Sequence, residues 1–235
     1  MAQNYCIFSE FDLLLWLNSI LDMSNMTNNR RGVLFDLDGV LLDSEGQYSI
    51  FWKAMDDRFP TGVADFASYI KGFHLTRILS YFADDDIRRQ VVDGLIEFEK
   101  NMRFEFFPGA LEFVKQLRDA DIPMAIVTSS DHKKMQALYE QHPEFPGLFN
   151  AIITGDMVTK AKPDPDCFLL GAKQLGLDIK DCIVFEDSRN GLIAGRASGA
   201  RVIGFTTTLN TDEVKELSDM TVNTISELTI EQMLG

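Results

Sequence analysis

Downstream of residue 31 the chain alternates between short apolar runs and longer stretches whose apolar positions recur at helical spacing. Gly32 to Leu37, IPMAIVTSS, FNAIITGD, CIVFED and ARVIGFT read as strands, and PGALEFVKQLRDA, HKKMQALYEQH, DPDCFLLGAKQLG and SRNGLIAGRASG read as helices. Strands alternating with helices imply right-handed crossovers, hence an α/β fold with a doubly wound parallel sheet covered on both faces. Ligands of such sheets bind beyond the carboxyl ends of the strands, so polar residues at those ends are where chemistry is expected.

Residues 46–105 interrupt the alternation. Apolar β-branched runs give way to aromatic and charged residues at helical spacing, as in FWKAMDDRF and IRRQVVDGLIEFEKNMRF, which predicts an insert of about four short helices. The main domain then comprises 31–45 and 106–235, with 46–105 as a small helical domain set into it. Ahead of both, SNMTNNRR at 24–31 is polar and turn-forming and marks off residues 1–30. Within these, Cys6 to Met23 is apolar, but Glu10, Asp12 and Asp22 interrupt it and no basic run precedes it, which argues against a signal peptide or a membrane span. The segment reads as an extra amphipathic helix or an over-extended start.

Composition narrows the class further. The 235 residues, 46% hydrophobic and 25% charged, suit one large core with a smaller satellite. A formal net charge of -14 excludes broad contact with nucleic acid, where Lys and Arg must replace phosphate counterions, and disfavours an anionic membrane surface. Three cysteines, Cys6, Cys167 and Cys182, lie far apart without metal-ligand spacing, which points away from a disulfide framework and toward a reducing cytoplasm. A monomer is the default expectation. So acidic a protein also repels phosphorylated metabolites, so a site for one must be inverted locally by a cation or by backbone N–H groups.

Four segments place candidate chemistry at strand ends. In VLFDLDGVLLDSE, Asp36 and Asp38 stand at i and i+2 before Gly39, where the backbone can turn sharply. One carboxylate can attack phosphorus while the other protonates a leaving oxygen and then activates water, and a shared hard cation such as Mg²⁺ relieves their repulsion. The same pattern also makes an ordinary surface turn, but the apolar residues on both sides argue against one. In MAIVTSS, Thr128 and Ser129 end a strand and enter a helix, where N–H groups and hydroxyls can bind phosphate oxygens or simply cap. In AKPDPDCF, Pro163 biases Lys162 away from helix and leaves its ammonium free to reach a phosphoryl group, with Lys160 a competitor for that role. In CIVFEDS, Glu186 and Asp187 follow an apolar strand, where carboxylates are costly unless a metal or solvent receives them.

Taken in order, DLDGVLLDS, VTSS, KPDPDCF and VFEDSRNGLIAGRASGA resemble the haloacid dehalogenase-like hydrolase superfamily in its helical-cap branch, which includes β-phosphoglucomutase and many sugar-phosphate and nucleotide phosphatases. The resemblance runs from about Arg31 to the C-terminus. It implies a Rossmann-like core with 46–105 as a cap that closes over substrate. It also implies Asp36 as nucleophile forming an aspartyl-phosphate, Asp38 as acid then base, and Thr128 with Lys162 on the phosphoryl oxygens. Mg²⁺ would be held by Asp36, the backbone carbonyl of Asp38 and Asp187, with Glu186 in support. Lys71, His74 and Arg77 are the cap residues placed to meet a small phosphorylated metabolite.

The resemblance leaves the reaction to be chosen. Asp38 argues against dehalogenation and phosphonate cleavage, neither of which needs the second aspartate. A phosphomutase shares all four motifs, but Leu75 stands where the β-phosphoglucomutases show an arginine for a second phosphate, and Tyr48 replaces a hinge histidine. Phosphate-ester hydrolysis is therefore preferred over mutase activity. A receiver-like phosphoacceptor domain and a non-catalytic ligand-binding relative stand further back, given the helical insert and the complete residue set.

Overall fold

The computed structural model describes residues 31–71 and 73–235. The helix expected within residues 1–30 lies outside the described residues. Six parallel strands form one sheet: β1 (Gly32–Phe35), β2 (Met124–Val127), β3 (Ala151–Ile153), β4 (Cys182–Glu186), β5 (Arg201–Phe205) and β6 (Met220–Val222), in the order β3-β2-β1-β4-β5-β6. Five of these are the strands expected from the sequence. The sixth, MTV, is only three residues long and shows no period of its own; it forms by pairing Ile203 with Met220 and Phe205 with Val222.

Strand alternation divides the core into two layers. Val33, Phe35, Met124, Ile126, Ile183 and Phe185 point to one face, and Leu34, Ala125, Val127, Val184 and Val202 to the other, all buried. Among the described residues six helices cover these faces, and four others, which come before them in the chain, form a layer of their own. In chain order those four are α1 (Glu45–Arg58), α2 (Phe66–Tyr69), α3 (Leu75–Leu79) and α4 (Asp85–Asn101). The covering helices are α5 (Ala110–Asp119) and α6 (His132–Gln141) with the short C-terminal helix Ile230–Leu234 on the first face, and α7 (Asp166–Leu175), α8 (Arg189–Ser198) and α9 (Thr211–Leu217) on the second. Gly176 and Gly199 end α7 and α8 in left-handed conformations, which glycine adopts without steric cost.

Helices α1 to α4 carry their own apolar cluster, built from Phe51, Trp52, Phe66, Ile78, Phe82 and Val91, with Phe51 stacked on Phe98 at 4.9 Å between ring centroids. Two antiparallel connectors join this helical layer to the sheet. The Asp43 amide donates to the Glu105 carbonyl at 2.8 Å and the Phe107 amide to the Leu41 carbonyl at 2.9 Å, so the layer's entry and exit run side by side.

Candidate active site

Register brings the first two carboxylates together. Phe35 pairs with Phe185, and the Asp36 amide donates to the Phe185 carbonyl at 2.9 Å, so Asp36 and Glu186 leave the sheet side by side between β1 and β4. This is where the strand order reverses, the crevice in which doubly wound sheets bind ligands. Lys162, from the loop before α7, places Nζ 2.5 Å from Asp36 Oδ1, 2.6 Å from Glu186 Oε1 and 3.1 Å from the Val127 carbonyl. A lysine this buried is tolerated because each ammonium proton meets an acceptor and two of those acceptors are charged. Among the described residues no donor reaches Oδ2 of Asp36.

Glu186 has both oxygens engaged: Oε1 by Lys162, and Oε2 by the amides of Asp187 and Ser188, at 2.9 Å each, and the Ser188 hydroxyl at 3.0 Å. Both oxygens are thus taken up by protein donors, and Glu186 does not line the cavity. A Cβ at Gly191 would fall 1.7 Å from Glu186 Oε1, so α8 can approach only as glycine. Asp187 accepts from the hydroxyls of Thr208 and, at 3.4 Å, Thr207. Gly39 lies against it with φ +79°, and a Cβ there would stand 1.9 Å from Asp187 Oδ2, so the turn after β1 seats directly on this carboxylate.

Asp38 is held by a different set. Lys134 Nζ lies 2.6 Å from both of its oxygens, the Ser130 hydroxyl donates at 3.0 Å, and the Ser44 hydroxyl donates to Oδ1. Thr128 and Ser129 both line the cavity described below, but the geometry differs from a helix entrance. The Thr128 amide is used by the Ile153 carbonyl of β3, and α6 starts only at His132, capped by Asp131. The Thr128 hydroxyl, which accepts from the Ser130 amide at 3.1 Å, is what that residue offers a ligand. Lys160 is mostly exposed and pairs with Asp164 at 3.3 Å, and it is not among the residues that line the cavity, whereas Lys162 is.

Burial and neighbouring charges set the carboxylates apart. Burial pushes the Asp36 carboxyl up to about 7, with Lys162 opposing and Glu186 adding to the rise. Asp187 is raised well above the ordinary range by burial and by the charges of Glu186, Asp36 and Glu45. Burial also pushes Asp38 upward, but the ammonium and hydrogen bonds of Lys134 outweigh it, so its carboxyl sits below the ordinary range. Lys162 loses by burial and gains more from Asp36 and Glu186, so it stays firmly protonated. Two buried carboxylates that resist ionisation together, Asp36 and Asp187, are a donor pair suited to a hard divalent cation.

A cavity of about 660 Å³ opens between these strand ends and the helical layer. Asp36, Asp38, Thr128, Ser129, Lys162 and Asp187 all line it, so the core residues expected from the sequence converge, apart from Glu186 behind them. From the helical layer, Lys71 and His74 line it; Lys71 pairs with Glu45 at 3.4 Å, and His74 caps α3 by accepting from the Thr76 amide at 3.3 Å. Arg77, expected to meet substrate, is not among the lining residues: its guanidinium lies 3.7 Å from the ring centroid of Phe73, which does line the cavity. Seven carboxylate side chains line the cavity against three lysines and one histidine, so the local field is still acidic.

Sequence reasoning missed Lys134, Ser130 and Ser44 around Asp38, and Thr208 on Asp187. Ser130 ends VTSS and Ser44 ends DLDGVLLDS, so a hydroxyl count within those motifs would have found both.

Three comparisons bear on this geometry. A family model described as haloacid dehalogenase-like hydrolase matches residues 31–199. Among characterised proteins, the chain is 30% identical over 207 residues to hexitol phosphatase A of Escherichia coli, covering 85% of this chain and 94% of that one. It is 32% identical over 194 residues to a probable pseudouridine-5'-phosphatase of Saccharomyces cerevisiae, covering 74% and 81%. Among solved structures, a family IA hydrolase of the same superfamily from Entamoeba histolytica superposes with a TM-score of 0.75 at 26% identity, covering 87% of this chain and 97% of that one.

Proposed function

The chain belongs to the haloacid dehalogenase-like hydrolases, and on that footing we propose that it is a Mg²⁺-dependent phosphatase of a small phosphorylated metabolite, working through an aspartyl-phosphate on Asp36. The observation that carries this reading is the convergence of a buried carboxylate, one of whose oxygens meets no donor among the described residues, a second carboxylate two residues on, and a lysine ammonium at 2.5 Å, all at one sheet crevice. Asp36, Asp187 and the Asp38 carbonyl would hold the cation, whose charge supports the phosphoryl group in the acidic cavity. Among the described residues no cluster of three His, Cys, Asp or Glu side chains makes a protein cage, and Mg²⁺ fits such an open set because it keeps water and substrate oxygens as ligands.

In the first half-reaction an Asp36 oxygen attacks phosphorus, the bond to the ester oxygen breaks, and Asp38, which must enter this step protonated against the pull of Lys134, delivers its proton to that departing oxygen. Lys162 and the Thr128 hydroxyl, with Ser129 beside them, hold the phosphoryl oxygens in line. In the second, Asp38 takes a proton from water as that water attacks phosphorus, and the bond to Asp36 breaks to restore its carboxylate. Helices α1 to α4, residues 46–105 with their connectors, serve as the cap that excludes bulk water and selects the leaving group, Lys71 and His74 being its polar contacts.

Hydrolysis is favoured over phosphomutation because no arginine among the described residues lines the cavity and Leu75 occupies the cap wall. Of the lining lysines, Lys71 is neutralised by Glu45. A second phosphate therefore meets no free guanidinium. Phosphate release should be measured over a panel of hexitol phosphates, sugar phosphates and nucleotides, with Mg²⁺ and with chelator. Chelator-sensitive release is the expected result; glucose 6-phosphate formed from β-glucose 1-phosphate and its bisphosphate without net release would make the protein a mutase.

A further inference from the structure

Lys134 carries no role in the reaction as derived above, although it is the most heavily engaged charge in the cavity after Lys162. Its side chain is 5% exposed, that of Asp38 18%, so the aspartate stands toward the cavity and the lysine behind it. Its Nζ bonds both Asp38 oxygens at 2.6 Å and lies 4.5 Å from the ring centroid of Tyr48 on α1, whose hydroxyl in turn donates to Glu99 on α4 at 2.8 Å. The backbone end is fixed too, because Asp131 caps the Lys134 amide at 3.0 Å. The ammonium thus spans a carboxylate of the sheet and an aromatic face of the helical layer.

We propose that Lys134 is a positioning residue for Asp38: it aims the carboxylate at the departing oxygen and ties that aim to the placement of the helical layer through Tyr48. The inference rests on the reading of Asp38 as acid and base. Ser44 and Ser130 each grip one side of the carboxylate. Of the three, Lys134 is the residue that bonds both oxygens, so it holds by itself the rotation that the two serines fix only together. Proton delivery is sensitive to such rotation, whereas nucleophilic attack by Asp36 is not.

An alkyl phosphate needs a proton on its leaving oxygen; 4-nitrophenyl phosphate does not. The test compares kcat/KM on the two, a quantity that reports steps up to loss of the leaving group. Lys134→Met should lower kcat/KM on the alkyl ester by about ten- to a hundred-fold, the scale of general acid catalysis, and on the aryl ester by no more than about threefold. Lys134→Arg, which keeps two donors, should recover part of the alkyl activity. Equal losses on both esters, or no loss on either, would overturn the assignment. Should Lys134→Met fail to fold, Tyr48→Leu decides: it removes the ring beneath the ammonium and should lower the alkyl-to-aryl ratio about threefold, the scale of one cation–π contact, while an unchanged ratio would overturn the proposal. A wild-type protein inactive on both esters would instead sink the phosphatase reading, which is visible before any variant is made.

Discussion

At the carboxyl ends of the strands, charged groups are buried and bonded to one another across long stretches of chain; in the helical layer the polar groups that face the same cavity are bonded to near neighbours within the layer. Lys162 reaches Asp36 and Glu186 from a different crossover, and Lys134 reaches Asp38 from yet another. Across the cavity, Lys71 pairs with Glu45 and the Tyr48 hydroxyl with Glu99. The difference separates two tasks. Groups locked into the sheet cannot be exchanged without leaving a buried charge unpaired, which suits them to the reaction step in the function proposed above; groups paired inside a separate apolar cluster can change while the carboxylates stay put, which suits them to selecting a substrate.

The sharpest way to break this division is Asp36→Asn. Turnover should fall by at least about 10⁴-fold, as when a covalent nucleophile is removed, with the circular dichroism spectrum unchanged. Residual activity near wild type would remove Asp36 from the reaction.

Lys162→Met should be nearly as damaging but through the fold. It strands Asp36 and Glu186 without their cation, and breaking a buried pair in this way costs about 3–5 kcal/mol, readable as a lower midpoint in urea. A variant as stable as wild type would show that the sheet site is less tightly interdependent than its distances imply.

A smaller effect concerns pH and metal. Asp36 is raised from 3.8 to about 7, and Asp187 is raised as well, so both bind more protons folded than unfolded. Stability of the metal-free protein should therefore fall as pH rises through that window. Asp38, held low, acts in the opposite sense but only below it. A cation competes with those protons, so added Mg²⁺ should raise Tm by a few degrees near neutral pH, roughly the effect of 1 kcal/mol, and by less near pH 5. A shift that shrinks with rising pH would contradict the assignment of these carboxylates to the metal.

The smallest effect belongs to Arg77→Ala. Since the guanidinium stacks on Phe73 and does not itself line the cavity, kcat/KM should change by less than about twofold, an exposed cation–π contact being worth under about 1 kcal/mol of stability. A tenfold loss would move Arg77 back among the substrate contacts.

What the sequence revealed follows the same division. Asp36, Lys162 and Asp187 were legible because each follows a recognisable apolar strand or precedes a proline, and the doubly wound topology gathers strand ends at one crevice. Lys134 was not, because it stands two positions inside a helix whose period is satisfied by Met135 and Leu138; its burial is decided by Asp38, 96 positions earlier in the chain. Strand β6 escaped because three residues define no alternation. In the helical layer, spacing predicted the helices well, but a five-residue helix such as α3 cannot say which of its sides looks into a cavity, and so His74 and Arg77 were indistinguishable before their surroundings were known.

The covalent step on Asp36 is tested most directly by trapping it. Asp38→Asn, incubated with 4-nitrophenyl phosphate and Mg²⁺, should still form the phosphoenzyme, because this leaving group needs no acid, and should lose it slowly, because water lacks its base. Acid quench, borohydride reduction and peptide mass analysis should then find residue 36 converted to homoserine in Asp38→Asn and unmodified in the double variant that also carries Asp36→Asn. Continued phosphate release with residue 36 unmodified, or phosphate on another side chain, would contradict the account.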